Sequence, residues 1–523
     1  MRNWSGFKNS RFLSCLLFYF LIISVLPSTT SAIYLNDFLV NSESQEYNDD
    51  FPSVLVDANG NFNVIWTKFR YYQGEYTFGK AYLKRFDSNG NVLLQATPLS
   101  PDSMLILSPV SASFLPSGKI IVAWADYTTQ FEFFVHSYGQ IYGPNGTPLT
   151  EPFKIDYLTA DNVNSFVSDV GIDSSGNIII LWRDSSNGNI YYQRFTEQGV
   201  ALDTPARADT CIEVECSDSR DTYMAVHPDG HFVIVWYDNV VEYNTYIPVA
   251  RLYDTAAHPV WPGAKLLTCD GSSFSYALSG SQGNCMAGNW TDIAMNQNGN
   301  FMIFTGAAAG EPSSNSVYGR LFDSSGTALT NNLKINTVNP KTYDVTPRAS
   351  SDPQGGYYVM WTECRYSTNE GLRDVFLQRF DSLSNPIGDN WRVNSPRGSG
   401  KYNWISYDVA VSGDRAFILW KDYRDWVTYP SYNDTLLTNI YGQIVDISQI
   451  GFYIAGDANF DGGISLADVI HLVNYIFKHS TPPDPELWIG DVNADCKLTL
   501  ADAIYLVNHI FKTGWPLQQG CAY

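Results

Sequence analysis

Asn59-Gly60-Asn61-Phe62-Asn63-Val64-Ile65-Trp66 sets the plan of most of this chain: a glycine turn, then an apolar strand that ends on a tryptophan. The pattern recurs at Ser117-Gly118 to Trp124, Ser175-Gly176 to Trp182, Asp229-Gly230 to Trp236, Asn298-Gly299 to Phe304, Gln354-Gly355 to Trp361 and Gly413-Asp414 to Trp420. Successive closing aromatics lie 54 to 68 residues apart. Downstream of most comes a second signature: Arg85-Phe86-Asp87 with Gly90, Arg194-Phe195 with Gly199, Arg320-Leu321-Phe322-Asp323 with Gly326, and Arg379-Phe380-Asp381. A short strand ending in Val-Asn or Ile-Asn often closes the unit, as at Lys334-Ile335-Asn336 and Arg392-Val393-Asn394. Each unit therefore predicts four strands, with tight turns after the first and the third. Seven such units at a near-constant period predict an all-β, seven-bladed β-propeller over residues 33–450.

The ends support closure of a ring. The seventh unit has strands near Tyr407–Val411, Ala416–Trp420 and Ile440–Asp446 but no fourth. Asp37-Phe38-Leu39-Val40-Asn41 matches the missing strand, and its pairing there would remove an exposed sheet edge. The two tight turns of every blade then share one face. The opposite face carries the connections after the recurring aromatic and the links between blades. These are rich in aromatics: Arg70-Tyr71-Tyr72 with Tyr76, Phe131 to Phe134, and Tyr423 to Tyr432 with Trp426. Variable loops on a rigid scaffold carry binding, and flat aromatic rings with a polar edge suit a sugar. This face is expected to take a polysaccharide or a cell-surface ligand, with local packing as the alternative for any single residue.

The usual catalytic constellations are missing. There is no G-x-S-x-G elbow, no H-E-x-x-H helix and no phosphate loop. His227 and His231 have metal-like spacing, but they flank Pro228-Asp229-Gly230 where other units carry Asp or Asn, and read as turn residues. Asp126, Asp184, Asp238 and Asp422 each stand two residues after a recurring tryptophan. Paired carboxylates serve glycosidases, yet repetition in four units argues first for a structural role. The Gly-to-Trp strand is vaguely similar to the Asp-box of sialidase propellers; its spacing differs and no arginine triad is identified, so that activity is not carried over.

Past the repeats, Asp457 to Lys512 holds one loop-helix unit written twice, at an offset of 34 residues. Oxygen side chains fall at loop positions 1, 3, 5, 9 and 12: Asp457, Asn459, Asp461, Ser465 and Asp468, then Asp491, Asn493, Asp495, Thr499 and Asp502. Position 7 offers a backbone carbonyl, from Gly463 or Lys497. Such spacing wraps a short loop around a hard cation, and Ca²⁺ suits it better than Mg²⁺. Helix capping by Ser465-x-x-Asp468 and Thr499-x-x-Asp502 is the competing reading. The helices carry apolar stripes at three-and-four spacing: Val469, Leu472, Val473, Ile476 and Phe477, then Ala503, Leu506, Val507, Ile510 and Phe511.

A paired module of loop plus exit helix, without entry helices, resembles a type I dockerin, here over residues 451–523. The resemblance implies a small α-helical, calcium-binding domain that docks onto a cohesin-like partner. By position it implies contact through Leu466, Ala467, Asn474 and Lys478 and their twins Leu500, Ala501, Asn508 and Lys512, with local packing the alternative for the leucines. The second loop departs from the pattern. Cys496 fills position 6, where a left-handed turn favours glycine. Cys521 is a candidate disulfide partner for Cys496, a free thiol being the alternative.

At the start, Arg2, Lys8 and Arg11 precede an apolar run from Phe12 to Leu26 and small residues at Thr30-Ser31-Ala32, the pattern of a secretory signal peptide over residues 1–32. No later segment is apolar enough to span a bilayer, so the mature chain is expected outside the cytoplasm. In that setting Cys211 with Cys216, and Cys269 with Cys285, read as disulfides bracing interblade links, though other pairings stay open, and Cys364 is left over. Lys and Arg total 32 against 53 Asp and Glu, which argues against nucleic acid and anionic membrane surfaces as partners.

Two readings follow. One is a binding or display protein fixed to a scaffold by its tail, in the setting of extracellular polysaccharide degradation. The alternative is a polysaccharide-active enzyme, a glycoside hydrolase or lyase, tethered the same way; the missing catalytic set puts it second.

Overall fold

A tryptophan that closes an apolar strand in unit after unit must be buried between layers, and each of the six is. Trp66, Trp124, Trp182, Trp236, Trp361 and Trp420 are at most 1% exposed. The computed structural model describes residues 37–41, 47–72, 75–127, 135–156, 164–210, 219–240, 245–261, 263, 288–308, 315–336, 346–363, 372–394, 400–401, 406–422, 438–450, 455–459, 463–480, 483, 489–495, 497–512 and 517. Among them stand seven antiparallel sheets, the blades of a propeller. Blade 1 is Asn48–Val56, Phe62–Tyr72, Glu75–Phe86 and Val92–Pro98. Blades 2, 3 and 5 (residues 111–154, 165–207 and 288–334) repeat that four-stranded meander. Blade 4 (220–253) has three described strands, and blade 6 (348–392) gains Gly400–Lys401 beside Leu372–Phe380. The innermost strand of each blade borders that of the next, and the last borders the first. Seven apolar clusters fill the seven seams.

Ring closure follows the predicted route. Blade 7 consists of Tyr407–Ser412, Arg415–Asp422 and Asn439–Asp446, with Phe38–Leu39 as its outer strand. Phe38 pairs with Gly442 and Leu39 with Tyr441, and Val40 N donates to Ile440 O at 2.8 Å. The Val-Asn signature also finds its cause. Asn336 Oδ1 accepts from Val317 N (3.0 Å) and Asn394 Oδ1 from Val375 N (2.7 Å). Asn41 Oδ1 does the same for Ile440 N at 2.9 Å across the closing seam. The asparagine amide thus satisfies a third-strand N–H where the short fourth strand runs out.

The sequence reading misses in three places. Phe304 is not the fifth member of the tryptophan series. Trp182, Trp361 and Trp420 pair with Tyr191, Phe376 and Tyr441; the residue that pairs with the matching Tyr318 is Thr305. A slip of one residue reverses the face of a strand. Phe304 accordingly packs into the seam with blade 6, while Thr305 meets the hydroxyl of Tyr237 in blade 4. Arg70–Tyr72 and Tyr76 belong to strands of a long hairpin, not to a free connection.

The third miss lies in the tail, where two helices, α1 (Leu466–Lys478) and α2 (Leu500–Lys512), pack around Val469, Leu472, Ala503 and Leu506. Phe477 and Phe511 are not part of that core: they are 61% and 64% exposed, on the side of each helix that also carries the exposed Leu466 and Ile470, or Leu500 and Ile504. No described helix is long and apolar enough to cross a membrane. Residues 1–32, all of Cys211, Cys216, Cys269, Cys285, Cys364, Cys496 and Cys521, and the aromatics Phe131 to Phe134 and Tyr423 to Tyr432 lie outside the described residues.

Candidate functional site

One register position, a residue short of the tryptophan level, carries polar side chains on all seven innermost strands. Ser53 pairs with Ile65, Ser111 with Ala123, Asp169 with Leu181, Tyr223 with Val235, Asp292 with Phe304, Arg348 with Met360 and Asp408 with Leu419. The three aspartates sit in alternate blades and do one job. Asp169 Oδ2 accepts from Met224 N (2.9 Å) in blade 4, Asp292 Oδ2 from Ala349 N (2.9 Å) in blade 6, and Asp408 Oδ2 from Val54 N (2.9 Å) in blade 1. Each Oδ1 turns back to the next N–H of its own strand, at 2.7 to 2.8 Å. Serines complete the ring: Ser111 Oγ donates to Asp169 Oδ1 (3.2 Å) and Ser53 Oγ to Asp408 Oδ2 (3.0 Å). The inner edge of a blade has no further strand to take its N–H groups, and these carboxylates take them instead.

Arg348 stands at the centre. Its guanidinium lies 4.5 Å from the ring centroid of Tyr223, two blades away, which places both side chains at the propeller axis. Burial pushes Asp292 up to about 7, against the pull of Arg348 and two backbone N–H groups. The same cause lifts Asp169 to about 6 and raises Asp408 and Asp221. Burial works against the charge of Arg348, but Tyr223, Asp292, Tyr407 and Asp408 hold its pKa above the ordinary value. Asp221 is also held at φ 43°, in the left-handed region that non-glycine residues avoid. Of these carboxyls Asp292 is the one lifted to neutrality, and it stands in the field of a fixed cation, an arrangement that can support proton transfer.

The aspartates singled out in the sequence do not converge there. Asp238 and Asp422 accept from the indole Nε1 of Trp236 (3.0 Å) and Trp420 (2.8 Å). Glu363 does so for Trp361 (3.0 Å), a partner the sequence reading missed. Asp184 caps its own turn through Ser186 N (3.0 Å), and Asp126 takes Leu105 N (3.1 Å). Their role is structural, as their repetition suggests. The axial ring went unread, although Asp169-Val-Gly, Asp292-Ile-Ala and Asp408-Val-Ala share an Asp-aliphatic-small signature.

In the tail, Asp457, Asp468, Asp491 and Asp502 are buried. Asn459, Ser465, Asn493 and Thr499 are half-buried, Gly463, Asp495 and Lys497 are exposed, and Asp461 lies outside the described residues. The capping reading holds together with this arrangement. Asp468 Oδ2 accepts from Ser465 N and Asp502 Oδ2 from Thr499 N, each at 2.8 Å. Asp468 Oδ1 takes Asn459 N (3.1 Å), whereas the N–H of Asn493 reaches Asp502 without closing a full hydrogen bond to its buried Oδ1. Burial raises the pKa of Asp502, and the charges of Asp491 and Asp495 add to that. A buried oxygen so weakly satisfied beside two further carboxylates fits a hard cation bound by oxygen ligands. Of the docking positions, Leu466, Ala467, Lys478, Leu500, Ala501 and Lys512 are exposed, and Asn474 and Asn508 half-buried. Ile470 and Ile504, which the sequence reading omitted, are exposed beside them.

No family model matches this chain, and no curated protein matches it. Solved structures do. The polysaccharide lyase Uly1 is 11% identical, covering 76% of this chain and 89% of its own, at a TM-score of 0.42. The alpha-L-arabinanase of Penicillium chrysogenum, complexed with arabinobiose, is 10% identical over 80% of this chain and 99% of its own, at 0.41. The alpha-L-arabinofuranosidase of Fusarium graminearum, also with arabinobiose, is 9% identical over 80% and 99%, at 0.39. Likeness at this level bears on neither substrate nor chemistry.

Proposed function

We propose that this chain is a secreted, polysaccharide-directed propeller carried on a calcium-dependent docking tail. The observation that carries the docking half is Asp502, whose buried Oδ1 has no full hydrogen bond and lies next to the charges of Asp491 and Asp495. Asp457, Asn459, Asp461, Ser465 and Asp468 with the carbonyl of Gly463 would hold one calcium ion. Asp491, Asn493, Asp495, Thr499 and Asp502 with the carbonyl of Lys497 would hold the second. Bound calcium neutralises carboxylates that otherwise repel one another. α1 then presents Leu466, Ile470 and Phe477, and α2 presents Leu500, Ile504 and Phe511, as two equivalent apolar faces for a cohesin-type partner.

The test is calcium titration by calorimetry with helicity followed in parallel. Two binding events with a gain in helix are expected, and Asp502→Asn should remove one of them. No binding would leave the tail without a docking role.

For the propeller, Asp292 favours catalysis over binding alone. Burial lifts it to about 7 in the field of Arg348, the range a general acid needs, while both its oxygens also accept backbone N–H groups. A polysaccharide panel separates the two. New reducing ends mean hydrolase, unsaturated ends mean lyase, and retention without cleavage means a binder. Activity that survives Asp292→Asn unchanged would remove the axial acid from the reading.

A further inference from the structure

Blade 4 turns through His227-Pro228-Asp229-Gly230-His231, and this turn is wired differently from its counterparts. In blades 1, 3 and 5 the first turn residue is Asp57, Asp173 or Asn296. Its Oδ1 accepts the N–H two residues on and the N–H four residues on, at 2.9 to 3.2 Å. In blade 4 the task is split. His227 Nδ1 accepts from Asp229 N at 3.3 Å, and Asp229 Oδ1 accepts from His231 N at 3.0 Å. The carboxylate is thereby set between two imidazoles. Its Oδ1 lies 3.0 Å from His227 Nδ1 and 2.6 Å from His231 Nδ1, and the two rings stack 4.4 Å apart.

Hydrogen bonding fixes the tautomer of His227. Its Nε2 lies 2.9 Å from the carbonyl oxygen of Gln297 in blade 5, and a carbonyl only accepts, so Nε2 carries the hydrogen. In the neutral ring Nδ1 is then a lone pair, which takes the N–H of Asp229 at 3.3 Å and lies 3.0 Å from its carboxylate oxygen. A hydrogen bond that long is weak, so the lone pair stays open to a cation shared with the carboxylate. His231 has one outlet. Its Nε2 is buried without a partner, and Gly299 of blade 5 comes so close that a Cβ there would lie 3.0 Å from it. Nδ1 must therefore serve as the polar end of that ring.

We infer that His227 Nδ1, Asp229 Oδ1 and His231 Nδ1 form a site for one divalent transition-metal ion of the Zn²⁺ or Co²⁺ kind, at the turn where blade 4 meets blade 5. The three donor atoms all lie within 4.8 Å of one another. Two imidazoles and a carboxylate select borderline metals over Ca²⁺ or Mg²⁺, which take oxygen ligands. The Gln297 carbonyl orients His227 as an outer partner orients a metal-bound imidazole. Both histidines are largely buried while Asp229 is 55% exposed, so the ion would keep positions open to water. On binding, the proton shared by Asp229 and His231 passes to Nε2 of His231 and the pair opens to admit the ion.

The full chain, first saturated with Ca²⁺ so that oxygen-only loops are filled, is titrated with Zn²⁺ by calorimetry and with Co²⁺ by visible absorption. One further equivalent is expected, and the cobalt spectrum should lack the intense band of sulfur ligation. The control is the double variant His227→Asn, His231→Asn. It rebuilds the asparagines that blade 5 carries at Asn296 and Asn300, so the turn should fold as it does there. Its affinity for either metal should fall by about tenfold or more. No uptake by the wild-type chain would mean that an imidazolium alone balances Asp229. Undiminished uptake by the double variant would place the ion elsewhere. Either result overturns the site.

Discussion

Asp292 holds its proton because it is buried between two blades, and that has a consequence for stability. Its folded pKa of about 7 lies above the value of the unfolded chain. Protonation therefore stabilises the fold at low pH, and this contribution is lost as pH rises through about 7. The stability difference between wild type and Asp292→Asn should grow less favourable to the wild type from about pH 5 to about pH 8, as read from urea unfolding at each pH. Asparagine supplies one acceptor where the carboxyl takes Ile293 N and Ala349 N, so a pH-independent loss of about 1–2 kcal/mol is expected as well. Trp420→Ala is the larger insult. It empties the seam between blades 6 and 7 and strips Asp422 of its indole donor, for an expected cost of about 3–5 kcal/mol in the same measurement.

At the scale of elements, the closing strand is short but bonded on several sides. Besides accepting from Ile440 N, Asn41 donates through Nδ2 to Asp49 Oδ2 and to Asn439 Oδ1, each at 2.8 Å. Asn41→Ala should lower stability by about 1–3 kcal/mol, seen as a shifted denaturant midpoint. The helices predict the opposite kind of result. Phe477→Ser with Phe511→Ser removes side chains that touch little, so helicity and thermal midpoint should stay close to wild type, each change within about 0.5 kcal/mol. Docking to a cohesin-type partner, measured by calorimetry, should be lost. These phenylalanines also show the limit of periodicity. Their spacing puts them at the edge of the apolar stripe, and only the packing of the two helices says which side of that stripe is covered.

For the whole molecule, the expectation is unequal dependence on calcium. The propeller closes through backbone pairing and seven apolar seams. A chelator should reduce the helical signal of the tail and leave the main thermal transition in place, a contrast that circular dichroism at two temperatures would read.

Much of this architecture was legible in the chain. A glycine turn, an apolar run and a tryptophan recur because every blade needs the same bend and the same large residue in its seam. The Val-Asn strand at Asp37–Asn41 announced closure because a fourth strand elsewhere ends the same way. Local rules of turns and periodicity are properties of neighbouring residues, and the sequence determines them by itself. Tertiary structure alone decided the rest. Asp169, Asp292, Arg348 and Asp408 come from four blades, and only the circular arrangement of innermost strands brings them to one axis. Thr305 rather than Phe304 keeps the tryptophan register because pairing with Tyr318, not composition, fixes which face a strand residue takes. The tautomer of His227 was likewise decided only when blade 5 placed the carbonyl of Gln297 against the imidazole.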